Sequence, residues 1–141
     1  MLGRGNLRRS YRFLYEDPWV RLRQMREKAP NILLQMLVRG ANAVGYTSYP
    51  DNVVKNFIDL SAKNGIDVFR VFDSLNSLDN MYGTIQAVRE NNKLAEVALC
   101  YTGDILDPSR NKYDLAYYVN MAKELKNAGA TSSPLKIWPA S

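Results

Sequence analysis

Three short apolar runs, each followed by a helical pattern, constrain this chain more than any other feature. They are NILLQMLVRG (31–40), IDVFRVFDSLN (66–76) and LAEVALCYTGD (94–104), rich in Val, Ile, Leu and Phe and ending in polar residues. Such a run reads as a parallel strand buried on both faces, because a strand with one solvated face would alternate apolar and polar side chains. The runs recur at intervals of about 30 residues, the length of one strand–helix unit in a parallel sheet. Between them, PDNVVKNFIDLSAKNG opens on Pro50, gathers Val53, Val54, Phe57, Ile58 and Leu60 mostly on one face, and closes at Gly65 after Lys63. Proline at the start and glycine just past the end are the ordinary punctuation of a helix. SLDNMYGTIQAVRENN predicts a second helix from Ser77 or Asp79 to Asn91. In YDLAYYVNMAKELKNAGAT, Leu115, Tyr118, Val119, Ala122 and Leu125 recur at helical spacing before Gly129. YRFLYEDPWVRLRQMREKAP (11–30) predicts another helical connection, with Pro18 opening its second part.

Polar residues collect where the strands should end: Arg39 on the first, Asp73 on the second, Thr102 and Asp104 on the third. Barrels and doubly wound sheets both place their sites at the C-terminal ends of parallel strands. No GxGxxG or Walker-type loop follows any strand, which weighs against nucleotide binding through a Gly-rich turn. The expected fold class is therefore α/β, a partial (β/α)8 TIM barrel of about three to four parallel βα units.

The chain has 141 residues, 46% hydrophobic and 23% charged, enough for one ordinary domain with its own core. Its net charge of +5 suggests nucleic acid, but the distribution argues otherwise. Residues 1–28 hold eight Arg and Lys against Glu16, Asp17 and Glu27, which is the whole surplus, and no basic stripe interleaved with aromatics follows. No nucleic-acid or membrane partner is expected. No stretch is long and apolar enough for a transmembrane span, and the basic N-terminus MLGRGNLRRS lacks the apolar core of a secretory signal. There is no His, which removes the commonest general base and metal ligand. The single cysteine, Cys100, lies in an apolar run and reads as an inert core thiol, in keeping with a reducing cytoplasm.

RGANAVGYTSYPDNVV (39–54), with YRFLYEDPW, DVFRVFDSLN and YTGDILDPSRNKY, closely resembles the carboxyltransferase domain of the pyruvate carboxylase family, over about residues 11–131. Oxaloacetate decarboxylases and transcarboxylases share that barrel but usually differ after the Arg-Gly. The resemblance implies a ligase in which carboxybiotin, carried by a mobile biotinyl domain, gives up its carboxyl as CO2. The enolate of pyruvate then takes it up to form oxaloacetate. The barrier lies in the enolate's charge, which calls for a Lewis acid and fixed cationic donors. It implies Arg39 as the pyruvate-binding residue and Tyr46 beside it in a catalytic role. A planar guanidinium suits the carboxylate of a small keto acid. Asp73 would orient these groups, or equally cap the helix that follows. Thr102 and Asp104 could simply shape a loop. The parent enzymes use biotin and a divalent metal, Mn or Zn, and homo-oligomers are expected. The isolated chain is expected to bind neither cofactor and to be inactive alone. The family's metal ligands are an Asp on the first strand, a carbamylated Lys on the fifth and two His, and this chain supplies no His. A fragment of an oxaloacetate decarboxylase or transcarboxylase barrel is the alternative within the class, and a basic nucleic-acid- or partner-binding module the alternative from another class.

The two ends depart from the family. Where the family carries W-G-G-A-T-F-D-V, this chain reads MLGRGNLRRS, and one choice of codons for those ten residues gives C-W-G-G-A-T-F-D-V when shifted by one base. The last ten residues, SSPLKIWPAS, regroup in the same way to I-I-A-I-K-D-M-A-G-L, the family's fifth strand. Three segments are therefore expected: 1–10 and 132–141 translated out of frame, and 11–131 a piece of the barrel. Lys136 falls where the family's metal Lys belongs, but without the apolar strand or the following Asp it is not assigned to metal.

Overall fold

Nine regular elements follow one another in the computed structural model, which describes residues 4–101, 105 and 111–137. Helices α1 (Arg4–Phe13) and α2 (Pro18–Lys28) lead into strand β1 (Gln35–Val38). Then come α3 (Asp51–Lys63), β2 (Val68–Phe72), α4 (Leu78–Glu90), β3 (Leu94–Tyr101), α5 (Leu115–Asn127) and β4 (Leu135–Ile137). A 3-10 turn, Gly40–Asn42, follows β1, and another, Asn111–Tyr113, precedes α5. The helix starts are local chemistry. The side-chain oxygens of Asp17, Ser77 and Asp114 accept from the N–H groups of Trp19, Asn80 and Tyr117, satisfying donors that have no partner within the helix. Beyond the ends of α3 and α5, Gly65 and Gly129 take φ of +114° and +100°, as expected of a residue that reverses the chain.

The strands are parallel in the order β1-β2-β3-β4. Each pairs with its neighbour in sequence, with no reversal of order. Alternate residues of the sheet enter one large apolar core: Met36 and Val38, Phe69 and Val71, Ala95, Val97 and Leu99. Leu22 of α2, Val54 and Ile58 of α3, Met81, Ile85 and Val88 of α4 and Leu125 of α5 join the same cluster. All four of these helices thus cover one face, whereas a doubly wound sheet would carry helices on both.

The opposite face differs from the sequence expectation of strands buried on both sides. Phe72, Ala98 and Cys100 are buried there and pack with Leu37. Towards the N-terminal ends, Gln35, Val68, Arg70 and Glu96 are only half-buried and Leu94 is exposed. No described helix covers that face. Its polar members meet one another: Gln35 donates through Nε2 to Glu96 Oε2, and Arg70 Nε lies 3.0 Å from the same oxygen. Arg70 Nε is buried without a well-directed hydrogen bond, so this contact is an ion pair by distance. Strand β1 is also shorter than its apolar run, since Ile32 and Leu33 precede it and are exposed.

The tail is a second correction. It was expected to lack a strand, yet β4 pairs with β3, Cys100 opposite Lys136, and Val97 and Leu99 donate their N–H groups to the carbonyls of Ser132 and Pro134. Parallel pairing uses main-chain groups, so the proline serves as an acceptor without needing the N–H it lacks.

At the N-terminal ends of the strands Asp67 ties the units together. It accepts the Leu34 N–H at 3.0 Å and pairs with Arg26 and with Lys93. Arg26 also donates to the carbonyls of Ile32 and Gly65. Burial of Asp67 works against its charge, but the Leu34 N–H, the Lys93 ammonium and the Arg26 guanidinium outweigh it and hold its pKa below the usual range. No helix among the described residues is long and apolar enough to cross a membrane.

Candidate functional site

Arg39 follows the last residue of β1 and Asp73 the last residue of β2. The strands are parallel neighbours, with Val38 opposite Val71, so both residues stand on one rim. Thr102 and Asp104 lie outside the described residues.

The segment that carries Arg39 and Tyr46 is wound on its own backbone. Arg39 N–H donates to the Ala43 carbonyl at 2.8 Å, Asn42 N–H returns to Arg39 O at 2.8 Å, and Tyr49 N–H reaches Ala41 O at 2.9 Å. Ser48 Oγ lies 3.1 Å from Asn42 Oδ1. Gly40 explains why the residue after the arginine is a glycine. Its φ is +42°, and a Cβ there would stand 2.7 Å from the Asn80 carbonyl oxygen of α4. No other residue fits at that approach without moving the helix. Thr84, buried in α4, donates from Oγ1 to the Gly40 carbonyl at 3.1 Å. Helix α4 therefore grips the first turn of the loop and fixes where Arg39 leaves the sheet. Arg39 is exposed and Tyr46 is 71% exposed, so neither side chain is committed to the core. A guanidinium on an open rim, held by a rigid backbone, can meet a carboxylate bidentately.

Asp73 serves its own turn. Its Oδ2 accepts the N–H groups of Leu75 and Ser77 at 2.9 and 3.1 Å, while Ser77 caps α4. The cap expected of Asp73 is therefore supplied by Ser77, and Asp73, four residues upstream, holds the turn before it. Sequence reasoning missed Asn76, which is buried with φ +55°. Asn is among the few residues that accept a left-handed conformation, but an Asn before a helix start does not by itself announce one.

A cleft of about 120 Å³ opens between the N-terminal ends of α3 and α4, lined by Ala41, Asp51, Asp79, Asn80 and Thr84 among others. Arg39, Tyr46 and Asp73 do not line it, and the charged side chains that do, Asp51 and Asp79, are acidic and ill-suited to an anionic substrate. The rim is the better candidate. Among the described residues no three His, Cys, Asp or Glu side chains converge to hold a metal ion. The residues present do not fit the family's metal site, and no chemical step is derived through it.

No protein-family profile matches the chain. It is 64% identical over 121 residues to pyruvate carboxylase of Bacillus subtilis and 58% identical over 120 residues to the mitochondrial pyruvate carboxylase of Homo sapiens. These alignments cover 86% and 85% of this chain but only 10% of each relative. Among solved structures, the carboxyl transferase domain of Rhizobium etli pyruvate carboxylase with pyruvate and biocytin superposes with a TM-score of 0.90 at 59% identity. That match covers 96% of this chain and 23% of the solved one. The chain is thus a mixed α/β fold with a parallel sheet, of the class whose solved neighbours are carboxyltransferase domains. More particularly, the homologues of this chain are the pyruvate carboxylases, and it corresponds to a segment of their carboxyltransferase domain.

Proposed function

We propose that the chain supplies part of the wall of a (β/α)8 barrel in which a carboxyl group passes from carboxybiotin to pyruvate to give oxaloacetate. Arg39 holds the pyruvate carboxylate through its two parallel donors, and Tyr46, on the same rigid loop, stands beside the reacting carbon. Asp73 shapes the neighbouring turn. The remaining strands, the biotinyl carrier and the metal-binding groups belong to other parts of such an enzyme, so the chain alone should make no oxaloacetate. The observation that carries this reading is the placement of Arg39 at the end of β1, on a loop anchored to α4 through Gly40 and Thr84. Residues 11–131 are the barrel piece, and we read 1–10 and 132–141 as out-of-frame translation. DNA whose neighbouring frames cannot encode W-G-G-A-T-F-D and I-I-A-I-K-D would end that part of the proposal.

Residues 11–131 can be grafted in place of the matching segment of the Bacillus subtilis enzyme. Oxaloacetate formation should survive the graft. Arg39→Lys, which keeps the charge and loses the planar fork, should then lower kcat/KM by about a hundredfold or more, chiefly through KM. A graft insensitive to Arg39→Lys would sink the assignment.

A further inference from the structure

Strand β2 leaves the sheet at Phe72, opposite Ala98, while β3 runs on to Tyr101. This leaves a gap in the ladder. The N–H groups of Val97 and Leu99 point to the β4 side, where Ser132 and Pro134 accept them, so those of Ala98 and Cys100 point towards β2. At Cys100 no β2 backbone remains to meet them, and Cys100 is fully buried. Two unpaired main-chain groups there would be costly.

The side chain of Asn76 fills the gap. Its Oδ1 accepts the Cys100 N–H at 2.8 Å and its Nδ2 donates to the Cys100 carbonyl at 2.8 Å. One amide group thus presents the acceptor and donor that the next residue pair of β2 would have offered. The backbone of the same residue, with φ +55°, donates its N–H to the Asp73 carbonyl at 3.2 Å. The Cys100 thiol donates to that carbonyl at 3.3 Å. The turn 73–77 is therefore fastened to the end of β3 at two points, both running through Asn76 or Cys100. Gln is too long for this geometry, and Ala offers neither group.

We propose that Asn76 is a positioning residue of the rim: it stands in for the strand β2 has vacated, and so fixes the turn that presents Asp73 beside Arg39. This rests on the reading of the rim as the pyruvate site. The device itself can be tested without pyruvate.

Cys100 is the only cysteine in the chain, so the rate at which a maleimide modifies the full chain reports the opening of this turn. Asn76→Ala should raise that rate at least about tenfold, because the buried Cys100 groups lose both partners and the turn opens locally. The opening should not change with low concentrations of urea, as global unfolding would. Asn76→Asp supplies the reading that a general loss of stability would not give. Protonated, the introduced carboxyl offers one donor and one acceptor and replaces the amide; ionised, it faces the Cys100 carbonyl with no donor. Asp73, whose main-chain carbonyl accepts the Asn76 N–H, and the Cys100 thiol, which donates to the same carbonyl, are the titratable residues joined to this position. They are common to the wild type, so the variant-to-wild-type ratio of rates cancels the thiol's own titration. That ratio should lie near one in mild acid, at about pH 5, and rise about tenfold towards pH 8. A ratio flat with pH, or modification that follows global unfolding in urea, overturns the proposal. A graft that makes no oxaloacetate overturns the pyruvate reading alone and leaves the role of Asn76 to the thiol measurement.

Discussion

Gly40 shows how a single position can decide a site without touching substrate. Its positive φ and the 2.7 Å approach of Asn80 O to a would-be Cβ both exclude a side chain. Gly40→Ala should therefore destabilise the chain by about 2 kcal/mol or more, seen as a lower urea midpoint. In the graft, it should also raise KM for pyruvate, since Arg39 is the adjacent residue. A neutral Gly40→Ala would show that the loop is not held by α4. Asp67 has a pH signature of its own. Its folded pKa is lowered, so its stabilisation is present above the unfolded value of about 4 and lost as pH falls through the folded value. Asp67→Asn should lower the melting temperature at pH 7, and the difference from wild type should close in acid. A difference that does not change with pH would count against ionic stabilisation at this position.

At the level of elements, the helices were legible because their signals are local. Pro18, Ser77 and Gly65 mark ends that the structure reproduces, and Val54, Ile58, Met81, Ile85 and Leu125 mark the buried faces. Strand limits were less legible. Composition could not show that Ile32 and Leu33 lie outside β1, because apolar residues at an open end of a sheet read like core. It could not show β4 either, whose pairing is carried by main-chain groups on a stretch of unpromising side chains. Of the rim, Arg39 and Asp73 were readable from their places at strand ends. Asn76 was not, because its role depends on β2 stopping short of β3, a fact of pairing that no single segment contains. Removing residues 132–141 tests the weight of β4. The Val97 and Leu99 amides should become faster in hydrogen exchange while α3 and α4 keep their protection. If α3 and α4 lose protection as well, β4 is integral to the core.

At the scale of the whole molecule, the sheet has one face covered by four helices and another where Gln35, Arg70 and Glu96 meet at half-buried depth. A chain with this organisation has its apolar core on the helical side, and stability should depend on that side first. The strand order β1-β2-β3-β4 has a consequence in time. Each strand after β1 bonds to the one made just before it, across a helical connection, so no pairing must wait for a part of the chain beyond the next unit. Order can then spread in chain order, from β1 towards β4, as these units are synthesised. Each completed unit offers a ready edge to the next, and whatever peptide comes after α5 meets a template already in place.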